Sequence, residues 1–159
     1  MNDSSAVPAA ERRGEYEVSA DPARLDLGVI HGFLSTSYWA AGIPRETVRR
    51  SVAHSLVFGI HHDADGQVGF ARVISDRATF AYLCDVFVLP AHRGRGLSKW
   101  LVEFVQAHPE LQGLRRWMLA TRDAHGLYRG QGWTPVPTPE IFMQRHFPGL
   151  YQRPDGEGG

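Results

Sequence analysis

The sequence predicts an α/β domain of the α+β kind: a mixed, mostly antiparallel sheet flanked by about four helices. Three observations predict it. Three strand-like runs follow one another between Leu56 and Val88 with turn chemistry between them. A strongly amphipathic run, Leu97 to Ala107, comes directly after the longest of them, and two shorter helical patterns precede the first. A doubly wound parallel sheet would instead alternate strands and helices one by one.

The chain has 159 residues, close to the size of a single domain, and 43% are hydrophobic and 11% aromatic. That apolar content is enough to offset the entropy lost on ordering such a chain. Residues 15–153 are expected to form the domain. Residues 1–14 and 154–159 are small, polar or charged and read as flexible tails.

Tyr16-Glu17-Val18 alternates and opens the sheet, and Asp21-Pro22 reads as a turn. From Asp26 to Ser37, Leu27, Ile30, His31 and Leu34 recur at helical spacing behind an aspartate cap. Gly42-Ile43-Pro44 interrupts that helix, and Pro44 suits the first turn of a second one reaching His54. Leu56 to Ile60 and Val68 to Ile74 flank Asp63-Ala64-Asp65-Gly66, an antiparallel hairpin. A turn near Ser75-Asp76-Arg77 leads into Thr79 to Val88. Leu97, Trp100, Leu101, Phe104 and Val105 then form one apolar helical face, which Pro109 ends. Trp117 to Ala120 is expected as a buried strand, Ala124 to Arg129 as a short helix and Ile141 to Gln144 as a last strand.

Lys plus Arg (17) balance Asp plus Glu (17). Proteins that grip nucleic acid or anionic membranes rely on a strong positive field, so neither partner is expected. A single cysteine, Cys84, cannot form an internal disulfide. No apolar run reaches the roughly 18 residues of a membrane span, and residues 1–14 lack the apolar centre of a signal peptide. A soluble, cytoplasmic protein is the expectation. His61 and His62 are neighbours on a strand and point to opposite faces, so no metal site is expected.

The most informative segment runs from Val88 to Ser98, between the longest strand and the strongest helix. The first N–H groups of a helix have no partner within it and carry partial positive charge, so they hold anions such as pyrophosphate. Gly94 and Gly96 let the main chain approach an anion and take positive φ, while Arg93 and Arg95 add charged donors. Neither a P-loop nor a dinucleotide fingerprint is present.

Arg93-Gly94-Arg95-Gly96-Leu97-Ser98, following Val88-Leu89-Pro90, resembles motif A of the GNAT family of N-acetyltransferases, R/Q-x-x-G-x-G/A after V-x-P, with Ser98 at the last small position. Leu127-Tyr128-Arg129-Gly130-Gln131-Gly132-Trp133 resembles the family's L-Y-x-x-x-G-F, with Trp133 in place of Phe. The likeness covers about Tyr16 to Phe147. It implies a sheet splayed into a V-shaped cleft and acetyl-CoA, or another acyl-CoA, as co-substrate. Arg93, Gly94, Arg95, Gly96, Leu97 and Ser98 would then grip the pyrophosphate, and the main chain of Phe87 and Val88 would pair with the pantetheine arm. A small-molecule primary amine would attack the thioester directly. Tyr128 would protonate the departing thiolate.

The attacking amine must also lose a proton. Asp85, a carboxylate in a mostly apolar strand, is the first candidate base; His31 and His125 are weaker ones. Asp85 as a purely structural residue at a strand bulge stands equally open. Leu83-Cys84-Asp85-Val86-Phe87-Val88 is similar to the L-E-D-F-F-V of polyamine acetyltransferases, but Cys84 replaces the glutamate. Tyr38 and Trp39, just before the Gly42–Pro44 break, are candidates to line the acceptor pocket. Rival readings are a non-catalytic CoA-binding sensor and an enzyme acting on a protein or peptide amine. A homodimer is compatible with the sequence.

Overall fold

The computed structural model describes residues 9–152. Its elements are β1 (Ala10–Arg13), β2 (Tyr16–Ser19), α1 (Leu27–Leu34), α2 (Arg45–Ala53), β3 (Leu56–His62), β4 (Gly66–Ser75), β5 (Phe80–Val88), α3 (Leu97–Gln106), β6 (Arg116–Met118) and α4 (His125–Arg129). One sheet carries all six strands in sequence order. Every neighbouring pair is antiparallel except β5 and β6, which run parallel across the α3 connection. This is the mixed sheet that the consecutive strand runs predict.

Alternation along the strands splits the apolar residues between the two faces. Val57, Phe70 and Phe87 turn towards Ile30 and Leu34 of α1 and Val48 of α2. Their neighbours Phe58, Ala71 and Val88 turn to the opposite face, where Trp100, Leu101, Phe104 and Val105 of α3 cover them. Each helix starts where local chemistry favours it. Asp26 caps α1 by accepting a hydrogen bond from Val29 N at 3.2 Å. Pro44 stands immediately before α2, and Gly96, with φ of 74°, immediately before α3. Among the described residues no helix is long and apolar enough to cross a membrane.

Three expectations are corrected. Residues 10–13, read as part of a tail, form the edge strand β1. Tertiary bonds hold it: Trp100 Nε1 donates to Glu11 Oε1 at 2.9 Å, and Arg12 pairs with Asp63 at 3.0 Å. The expected strand Ile141 to Gln144 is absent, replaced by a 3-10 turn at Pro139–Ile141 and irregular chain. Pro135, Pro137 and Pro139 lack the N–H that a sheet ladder requires. The first helix stops at Leu34, because Ser35 and Ser37 bend their hydroxyls back to carbonyls three residues earlier. Residues 1–8 and 154–159, the remainder of the expected tails, lie outside the described residues.

A local irregularity opens the sheet. On β4 and β5 the register passes from Phe70 opposite Phe87 to Arg72 opposite Cys84, so Asp85 and Val86 together face Ala71. Asp85 has φ of 56° at this bulge. Bulges bend a strand and sharpen its twist. β5 pairs with β6 only from Phe80–Tyr82 to Arg116–Met118. Beyond that the two strands diverge.

Candidate active site

The divergence leaves a cavity of about 530 Å³ between β5 and the chain that follows β6. Its floor is the second half of β5. Tyr38 and Trp39 stand at one side, Arg93 and Ser98 at the start of α3 at another, and Thr121 to Ala124 with Leu127 and Tyr128 form the far wall. Sequence-distant motifs thus meet in one cleft: Asp85, Phe87, Val88, Arg93, Ser98 and Tyr128 all line it.

The turn before α3 has the features an anion needs. Gly94 and Gly96 have φ of 78° and 74°, a region L side chains rarely adopt. A Cβ at either position would meet nothing within 4 Å, so a ligand could lie against this backbone. No side chain caps the helix, which leaves the first N–H groups of α3, those of Leu97 and Ser98 among them, to outside acceptors. Phe87 and Val88 line the cleft while largely buried, Phe87 stacks on Phe33 at 4.1 Å, and Leu97 is buried in the core and is not among the lining residues. Arg93 also anchors the turn. Its Nε donates to Val88 O at 2.9 Å, tying the turn to β5 and leaving its terminal nitrogens for charge pairing.

Tyr128 is buried against Trp133, with ring centroids 5.8 Å apart. Burial pushes its hydroxyl up to about 12, so it remains a protonated donor across the neutral and mildly alkaline range. Asp85 is held from two sides. Arg72 Nε donates to Oδ2 at 2.8 Å, and Trp39 Nε1 donates to Oδ1 at 2.9 Å. Each carboxylate oxygen retains a lone pair for a further donor. Burial raises the Cys84 thiol to about 12, which leaves it without nucleophilic character at neutral pH.

The two weaker base candidates do not reach the cleft. His31 Nε2 lies 3.0 Å from Ile43 O, beside the α1–α2 turn, and His125 lies in a separate pocket behind Tyr128. Tyr38 and Trp39 do line it, with their rings 5.0 Å apart and the Arg122 guanidinium 3.8 Å above Tyr38. Arg72 and Arg122 escaped the sequence reading. Arg72 had a signal, a lone charge inside an apolar run. Arg122 had none.

A second polar group lies just before the phosphate-type turn. His62, Asp65 and His92 bring ligand-capable atoms within 4.8 Å of one another, a grouping that local spacing could not reveal. Both histidines already have protein partners. His62 Nδ1 lies 3.3 and 3.2 Å from the amides of Ala64 and Asp65, and His92 bonds Tyr16 Oη at 2.7 Å and Asp65 Oδ2 at 2.9 Å. The network therefore reads as a clasp between the β3–β4 turn and the chain leading into Arg93.

These features define a class of proteins. A model of the acetyltransferase (GNAT) domain matches residues 53–135, and the chain belongs to this GNAT family of acyltransferase enzymes. A Gibberella zeae protein named as an acetyltransferase, FG08082, is 34% identical, the match covering 73% of this chain and 77% of that protein. A crystal structure of a Xanthomonas campestris protein assigned to the GNAT family is 57% identical, covers 88% of this chain and 99% of that one, and superposes with a TM-score of 0.83. Rv2747 of Mycobacterium tuberculosis, solved in complex with CoA, shares the fold at 23% identity, 75% and 72% coverage and a TM-score of 0.59.

Proposed function

We propose that the protein transfers an acetyl group from acetyl-CoA to a primary amine of a small molecule, directly and without a covalent enzyme intermediate. One observation carries this reading: a single cleft joins Arg93 and Ser98, which flank the Gly94–Gly96 turn before the uncapped helix α3, to Tyr128 and Asp85. The CoA complex of Rv2747, a protein of the same fold, agrees with it.

In this reading the main-chain N–H groups of Gly94 to Ser98, with Arg93 and Arg95, hold the pyrophosphate. The open edge of β5 at Phe87 and Val88 takes the pantetheine as an added strand would. Bound acetyl-CoA supplies a thioester carbonyl activated for acyl transfer. Asp85, fixed by Arg72 and Trp39, accepts the proton that the acceptor's ammonium must lose, through water, and so restores the nitrogen lone pair. As the C–N bond forms and the C–S bond breaks, Tyr128 gives its phenolic proton to the sulfur and is reprotonated from solvent. The aromatic rings of Tyr38 and Trp39 beside Asp85 suit a cationic amine, which is attracted by both carboxylate and π-face. Cytoplasmic location accords with the single unpaired cysteine.

Calorimetry with acetyl-CoA tests the donor site. Gly94→Val and Gly96→Val should abolish binding, and unchanged affinity would overturn the phosphate assignment. Release of free CoA thiol across a panel of small amines and peptides tests the acceptor. Turnover confined to peptides would overturn the small-molecule reading, and no turnover with any amine would leave a CoA sensor.

A further inference from the structure

The glycine turn before α3 hangs between two buried posts. Residues 93–96 are all exposed, with buried His92 on one side and buried Leu97 on the other. Nothing stands within 4 Å of where a Cβ would lie on Gly94 or Gly96, so no packing fixes the turn from its own surface. Apart from the Arg93 bond to Val88 O, no side chain of residues 93–96 hydrogen-bonds to another of the described residues. Leu97 is held by apolar contact in the core that α3 covers. The other post is a polar ring, and its side chain is only 8% exposed.

Both nitrogens of that ring are used. A carboxylate only accepts, so His92 Nε2–H donates to Asp65 Oδ2 at 2.9 Å, and in the neutral ring Nδ1 then accepts from Tyr16 Oη at 2.7 Å. Tyr16 belongs to β2, and Asp65 to the turn between β3 and β4. The His62 ring packs against both partners of that bond, with its centroid 4.9 Å from Tyr16 and 4.9 Å from His92. An apolar side chain could fill the same space, but only directed bonds fix how the ring is turned and where the chain leaves it. Tyr16, His62, Asp65 and His92 all lie outside the lining of the cleft.

From this arrangement we infer that Asp65 and Tyr16, acting through His92, are positioning residues for the donor substrate: they hold the chain ahead of Arg93 so that the N–H groups of the turn stand ready for the pyrophosphate of acetyl-CoA. The inference rests on the acetyl-CoA reading of that turn. A loop ordered in advance bears its entropy cost on folding and not on binding, so release of the clasp weakens the complex. The Asp65 side chain is 58% exposed, and loss of such a surface partner costs the fold little. Charge acts in the opposite direction. Removing an acid from the neighbourhood of a phosphate site favours the anion, so weaker binding after loss of Asp65 can only come from the lost bond.

Calorimetry with acetyl-CoA on the full chain, paired with thermal melting, tests this. Asp65→Ala should weaken binding about tenfold while the melting temperature stays near that of wild type. Asp65→Asn still offers an oxygen to His92 Nε2–H and should bind within about twofold of wild type or more tightly. Asp63→Asn removes the same charge from the same turn, but Asp63 pairs with Arg12 at 3.0 Å, and the affinity should not fall. In a His92→Asn background, whose short side chain keeps a partner for Tyr16 without reaching Asp65, adding Asp65→Ala should weaken binding no further. Wild-type affinity in Asp65→Ala overturns the inference, as does an equal loss in Asp65→Asn or a fully additive loss in the His92→Asn background. The underlying reading fails separately. If Gly94→Val binds acetyl-CoA normally, the pyrophosphate assignment falls; if Gly94→Val abolishes binding and Asp65→Ala does not weaken it, only the clasp falls.

Discussion

Arg72 Nε lies 2.8 Å from Asp85 Oδ2, at the point where β4 and β5 lose register and β5 turns away from β6. The ion pair therefore sits at the hinge of the cleft. Both side chains are largely withdrawn from water, at 16% and 11% exposure.

Asp85→Asn isolates the charge, because Asn tolerates the positive φ that Asp85 adopts. It leaves the Arg72 guanidinium uncompensated in a mostly buried place. Urea unfolding should show a loss of about 3 kcal/mol, recovered in large part by adding Arg72→Met. A single-variant loss under about 1 kcal/mol would mean that the pair is solvated like a surface one. Turnover should fall as well, with the acetyl-CoA affinity little changed.

Tyr128→Phe removes the proposed acid and leaves the ring in place. Turnover should drop about a hundredfold or more while acetyl-CoA affinity stays near that of wild type. The direction of the pH effect follows from burial. A donor must be protonated, and with its hydroxyl raised to about 12 Tyr128 loses its proton only as pH approaches that value. The rate profile of the native enzyme should therefore show no descending limb near pH 10. Such a limb in wild type that vanished in Tyr128→Phe would contradict this environment.

His61 predicts an acid-side instability. Burial, with a smaller contribution from Arg24, lowers its pKa, and its Nε2 is buried without a hydrogen-bond partner among the described residues. The folded state therefore favours the neutral ring, whereas the unfolded chain takes up a proton as pH falls through about 6.5. Stability contributed above that pH is lost below it. His61→Leu should raise the melting temperature at pH 5 more than at pH 8 and relieve about 1 kcal/mol of unsatisfied burial. His108, lowered by burial in the same direction, should keep part of the acid sensitivity in that variant. Equal shifts at both pH values would remove titration from the explanation.

Cys84 should be silent towards a thiol reagent in the native protein at pH 8. With the thiol raised to about 12, only about one part in ten thousand is thiolate there. Denaturant should expose one reactive thiol per chain. Rapid labelling of the folded protein would show that β5 opens at the cleft floor.

The two motif blocks were legible because their chemistry is local. A turn that needs positive φ selects Gly94 and Gly96, and an amphipathic helix must place Trp100, Leu101, Phe104 and Val105 on one face wherever it docks. The consecutive strand runs were legible for the same reason, since alternation and turn residues are written within a few positions. β1 was not, because its residues carry little strand preference and are held by Trp100 and Asp63, far away in the sequence. The missing last strand erred the other way: Ile141 to Gln144 looks extended and apolar, but three prolines just before it deny the ladder its donors.

By itself, then, the sequence determined the helices α1 to α4, the central strands and the glycine turn before α3, because spacing and backbone freedom act over a few residues. Only the tertiary structure decided that Asp85 is clamped between Arg72 and Trp39, that His92 is spoken for by Tyr16 and Asp65, and that His31 and His125 stand outside the cleft. Those outcomes depend on distances between residues far apart in the chain. A one-residue slip at Ala71 and the burial that follows it set such distances, and no short pattern encodes them.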